Sequence, residues 1–125
     1  RIPTDSMTSY ECLLKGKDYH HRFTKEDNQK ALDVLEKAIQ ADERNSQAHA
    51  WKACVLGQAL GRGYLDNTDQ LVEDIIFHID LAVKLNKNDF EAHRMLAEVH
   101  LSMHSFEEAK LSGMRAFQLT QMIQE

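Results

Sequence analysis

His100 and His104 stand one helical turn apart, and His93 lies further back on a similar face. A histidine pair at that spacing can chelate zinc, but a zinc site needs a third ligand and supporting carboxylates. Glu98 is displaced around the same helix, and no Glu-x-x-His pattern or cysteine pair stands nearby. The three rings are therefore read as a polar helix face or as packing between helices, and no metal is expected. His20 and His21 are adjacent, so they point to different faces; they read as a helix end with one ring packed. Cys12 and Cys54 fall in two different helical stretches and read as buried thiols in a reducing compartment. Gly57, Gly61 and Gly63 follow a helix rather than a strand and lack the Lys-Ser/Thr of a phosphate loop. Asp66, Asp69, Glu73 and Asp74 lack the alternating oxygen spacing of a calcium loop. No nucleophile, base and orienting group occur together, so no catalytic residue and no cofactor is expected.

The elements that would position these side chains are helices. The 125 residues suffice for one domain with a core. Apolar residues make up 42% and charged residues 28%, with one proline and five glycines. Leu, Ala, Glu, Lys and Gln dominate, a composition that favours helix. The net charge is −5. An acidic body lacks the basic face that neutralises phosphates, which argues against nucleic-acid binding. No apolar run reaches membrane-spanning length, and the chain is expected to be cytoplasmic.

Helical periodicity runs from Thr8 almost to the end. Cys12, Leu13, Gly16 and Tyr19 mark a first helix. Thr24 caps a second, built on Ala31, Leu32, Val34, Leu35, Ala38 and Ile39. Asn45 or Ser46 caps a third, with Trp51, Cys54 and Val55, and a glycine-bearing loop follows from Gly61 to Asp69. Thr68 caps a fourth; Asn88, with Glu91 three residues on, caps a fifth; Ser105 and Glu108 form a capping box for a sixth. No strand signal is seen.

One phrase returns. Ala38, Ala82 and Ala116 occupy like places, preceded at seven residues by Ala31, Ile75 and Ala109. Trp51, Cys54 and Val55 align with His93, Leu96 and Ala97. The first two units carry loop insertions relative to the third. This pattern resembles the tetratricopeptide repeat, a helix–turn–helix with small residues where helices touch. The resemblance implies an all-α array of three antiparallel helix pairs, with repeats near 8–44, 45–87 and 88–122 and residues 1–7 a linker from an upstream domain. The opening "YECLLKGKDYHHRFTKED" is similar, in Tyr10, Leu13, Leu14, Gly16 and the following loop, to the repeat region after the catalytic domain of bacterial class III adenylate/guanylate cyclases.

The family presents ligands with the first helix of each pair. By that resemblance the groove positions are Tyr10, Leu13, Lys17 and His20; His49, Lys52, Leu56 and Leu60; and Glu91, Arg94, Glu98 and Leu101. The cationic clamp that some relatives use for acidic chaperone tails is not built, because only Lys17 among the corresponding residues is a cation. The function implied is a non-catalytic module for protein or peptide binding or self-association, as the regulatory part of a bacterial cyclase. Met114, Phe117, Met122 and Ile123 would support a homodimer through the C-terminal helix. The alternative is the sensor domain of a transcriptional regulator, binding a small molecule or metal.

Overall fold

The computed structural model describes residues 7–102 and 106–124. These form α1 (Ser9–His20), α2 (Lys25–Ala41), α3 (Ser46–Arg62), α4 (Asp69–Leu85), α5 (Phe90–Ser102) and α6 (Phe106–Gln124), with no strand among the described residues. His104 and Ser105 lie outside the described residues.

Short polar side chains start the helices by accepting the first free backbone N–H groups. Thr8 and Glu11 form a reciprocal capping box on α1. Thr24 accepts from Asp27 N, Asn45 from Ala48 N and Thr68 from Leu71 N. The cap of α5 is Asp89, not Asn88: its Oδ1 accepts from Glu91 N at 3.0 Å and Ala92 N at 3.3 Å. A carboxylate at that position also complements the helix dipole, which the Asn88–Glu91 reading overlooked. The α3 helix outlasts its sequence boundary, passing through Gly61 and Arg62 to end on Gly63 in the left-handed region at φ 73°.

Consecutive helices pack as antiparallel pairs, α1 with α2, α3 with α4 and α5 with α6. The pairs join through α2–α3 and α4–α5. First helices also meet, α1 with α3 and α3 with α5, while α2 and α4 make no comparable contact. The first helices therefore form the inner layer of a curved array.

Small residues make the close approaches. Ala31, Ala38, Ala48, Ala50, Ala59, Ala82 and Ala92 are fully buried. Gly16 faces Leu35, where a Cβ would stand 2.6 Å from the leucine's Cγ and Cδ2. One main core runs from Leu13 through Leu35, Trp51, Val55, Ile75 and Ile79 to Met95. A smaller cluster of Cys12, Ala38 and Ala48 is covered by Met7, so Met7 packs with the helices rather than standing apart from them.

The inserted loop is used as packing. Tyr64 Oη donates to Phe23 O at 3.4 Å, and the Arg62 guanidinium lies 5.4 Å from the Phe23 ring. Phe23 is held in the left-handed region at φ 58°, so the α3–α4 loop braces the turn of the preceding pair.

Candidate binding groove

The internal repeat is sharper in the backbone than in the sequence. Thr24 and Thr68, 44 residues apart, share φ −115° and ψ 157°. Asp42 and Asn86 end α2 and α4 in nearly the same extended conformation and accept the same backbone N–H two residues on. His49 Nε2–H donates to Glu43 O at 2.9 Å; His93 Nε2–H donates to Lys87 O at 2.9 Å. The equivalent of His93 is thus His49, not Trp51, and the sequence alignment of α3 with α5 was two residues out. The eye pairs a tryptophan with the next ring along; the turn hydrogen bond pairs the two histidines.

Counting from the three N-caps, Thr8, Asn45 and Asp89, puts the inner layer in register. Lys17, Cys54 and Glu98 share one row; His20, Gly57 and Leu101 share the next. The expected positions on α1 and α5 obey this register. Those on α3 do not, and the structure turns most of them elsewhere. His49 is buried and stacks on His78 of α4, with ring centroids 5.2 Å apart and Nδ1 atoms 3.0 Å apart. Lys52 pairs with Glu36 of α2 at 2.6 Å. Leu56 is in the core, and Leu60 packs on its edge.

A solvent-open cavity of about 310 Å³ lies where the three first helices come together. Its walls are His20 from α1; Ala53, Cys54, Gly57 and Gln58 from α3; and Met95, Glu98 and Val99 from α5. His20 and Glu98 were expected here. Cys54, Gly57 and Gln58 were missed, and counting from the caps would have found the first two. Of the other expected positions, Leu13 is buried in the core, Tyr10 and Leu101 are exposed, and Arg94 pairs with Glu98 at 2.7 Å on the surface. Glu91 begins α5 beside its cap.

Trp51 ties this layer together. Its ring meets His20 and His21 edge-on at 5.8 and 5.6 Å, and the Lys17 ammonium sits 5.1 Å above it. Its Nε1–H donates to Gln47 Oε1 at 3.2 Å, and Gln47 Nε2 donates to Asp89 Oδ2. One chain of contacts therefore runs from α1 through α3 to the cap of α5.

The chemistry of the cavity is that of a binding wall. Cys54 Sγ lies 3.5 Å from His20 Nε2. Burial, reinforced by the Glu98 carboxylate, pushes the thiol up to about 11. Burial, with His21 beside it, pushes the His20 imidazole down to about 4. A reactive cysteine needs the opposite shifts, toward thiolate and imidazolium. At neutral pH the pair is a thiol and a neutral ring. Among the described residues no group of three or more His, Cys, Asp or Glu side chains is placed to hold a metal ion.

Six helices in antiparallel pairs, with first helices inside and a repeated turn, define the architecture. The fold is a tetratricopeptide-like array. No family model and no curated protein matches the chain. Among solved structures, one titled "MamA MSR-1 C2" superposes with a TM-score of 0.65 at 20% identity, covering 91% of this chain and 58% of that chain. The chain thus spans somewhat over half the length of that neighbour, and the likeness is one of fold. Among the described residues of the tetratricopeptide-like array, no helix is long and apolar enough to cross a membrane.

Proposed function

We propose that the chain is a non-catalytic protein-interaction module whose partner segment lies across the first helices, over the cavity between His20, Cys54 and Glu98. The observation that carries this reading is that cavity: three helices contribute to one open apolar depression, and its cysteine, Cys54, is held neutral. Tyr10, Lys17, His20, Glu91, Arg94, Glu98 and Leu101 keep their assignment as contact positions. On α3 the contact positions become Gln47, Cys54 and Gly57 in place of His49, Lys52, Leu56 and Leu60. Rigid helices presenting such a groove suit an extended or helical peptide.

Gly57 supplies the test. A Cβ there meets nothing within 4 Å, so Gly57→Leu starts into open space and should fill the groove with the fold kept. Affinity capture from the source cell should lose its specific partner with this variant while the melting temperature holds. Retention of the same partner at full yield overturns the groove assignment.

The reading extends to context. The likeness of the segment from Tyr10 to Asp27 to the region after class III cyclase domains supports a regulatory role next to such a domain. A cyclase domain encoded upstream of Arg1 is the expected result; a DNA-binding domain there would favour the sensor role instead. Self-association through α6 is also part of the proposal, because Leu111, Met114, Phe117 and Met122 are all more than half exposed on it.

A further inference from the structure

Asn28 stands on α2 and is not a wall of the groove cavity, yet it decides what that cavity offers. It is buried, and its Nδ2 donates to Val55 O at 3.1 Å and to Gln58 Oε1 at 3.0 Å. A main-chain carbonyl can only accept, so the bond to Val55 fixes which end of the Asn28 carboxamide carries the N–H groups. The second bond then fixes the next carboxamide in turn. Oε1 of Gln58 faces Asn28, and its Nε2–H groups are left without a partner among the described residues.

Gln58 lines the cavity. The other polar walls are engaged: Glu98 is held by Arg94 at 2.7 Å, and His20 meets Cys54 through Nε2 while its Nδ1 is sealed from solvent. The remaining walls are Ala53, Gly57, Met95 and Val99. The depression therefore sets an oriented N–H donor beside apolar surface.

We propose that Asn28 is a positioning residue, holding Gln58 Nε2–H to donate to a main-chain carbonyl of an extended partner segment whose neighbouring apolar side chain enters the cavity. A helical segment spends its carbonyls internally, save those of its last turn; an extended one leaves them free. This rests on the groove reading above and narrows it from an extended or helical peptide to an extended one.

The test starts from a random dodecapeptide library panned on the whole chain; the selected peptide, labelled with a fluorophore, is the probe. Its binding should be lost in Gly57→Leu. Binding that survives in that variant, or a library that yields no binder, would overturn the groove reading and this inference with it. Each peptide bond is then replaced in turn by an ester, which weakens the carbonyl as an acceptor. One ester should weaken binding about fivefold, the worth of one net hydrogen bond. That penalty should fall below about twofold in Gln58→Met, which lacks the donor, and in Asn28→Ala, which frees Gln58 to turn. A merely structural role for Asn28 would lower affinity and leave the ester penalty in place. Gln58 is partly exposed, so Gln58→Met decides the matter even where Asn28→Ala does not fold. A full penalty in Gln58→Met, a penalty at no bond, or reliance on a polar side chain of the peptide instead would overturn this inference and leave the groove reading standing.

Discussion

A thiol and an imidazole 3.5 Å apart resemble a nucleophile and its base, and at Cys54 and His20 the environment decides otherwise. With the thiol near 11 against an ordinary 9.0, its thiolate fraction at pH 8 falls about a hundredfold. Alkylation of Cys54 by iodoacetamide at pH 8 should therefore run about a hundredfold slower than in the urea-denatured chain, as read by peptide mass spectrometry. Alkylation at the denatured rate would mean that the pair is activated. The buried rings also set an acid limit. His20 and His78 are both lowered from 6.5 to about 4, first by burial; His21 adds to it at His20, and Lys52 and His49 add to it at His78. A depressed histidine favours the folded state fully above its unfolded value. That contribution is lost as pH falls from about 6.5 to about 4, because the unfolded chain takes up the proton first. His78 is partly exposed and faces Asp74 and Glu36 as well, so its share is discounted. His78→Phe keeps a ring against His49 and should lessen the acid loss of stability between pH 6.5 and 4 by about 1 kcal/mol, measured by urea melts at the two pH values. An unchanged loss would remove His78 from the account.

Caps and close contacts act on whole helices, and here the sequence was readable in part. Thr24, Asn45 and Thr68 announce their helices because a short polar side chain before an apolar run has few other uses. Asp89 did not stand out, because Asn88 beside it is an equally good capping residue by type. Only the register set by the Asp42 and Asn86 turns separates the two. Asp89→Ala should cost about 1–2 kcal/mol and Asn88→Ala under about 0.5 kcal/mol in chemical denaturation; the reverse order would restore the sequence reading. Glycine content alone does not tell Gly16 from Gly57. Gly16 abuts the fully buried Leu35, which cannot yield, so Gly16→Ala should destabilise by about 1–3 kcal/mol despite its better helix propensity. Gly57→Ala, with open space above it, should be neutral or stabilising by up to about 1 kcal/mol. Equal effects at the two glycines would mean that α1 and α2 are not as closely packed as Gly16 and Leu35 indicate.

The all-α pairing was legible for the whole molecule because alanines recur at a fixed helical step and each pair is a local unit. The rows of the proposed groove were legible in the sequence on α1 and α5 only. On α3 the expected positions stand two or three residues past the register counted from the cap, which on a helix carries a side chain from the inner layer to the α2 and α4 side. His49, Lys52 and Leu56 went with it. The exposed apolar side chains of α6 bear on the molecule's surroundings. Self-association through that helix predicts a concentration-dependent rise in mass by light scattering, abolished by Met114→Glu/Phe117→Glu. A strict monomer at millimolar concentration would contradict it.

The central claim is that the inner layer of first helices is the surface a partner touches, in the register set by the three caps. Photocrosslinking in the source cell measures this most directly. A benzophenone amino acid would be placed singly at Lys17, Gln58, Glu98 and Leu101, and at the outward-facing Asp33, Lys37 and Phe77. The account predicts one common adduct from the first four positions and none from the last three. Adducts from Asp33, Lys37 or Phe77 alone would contradict it.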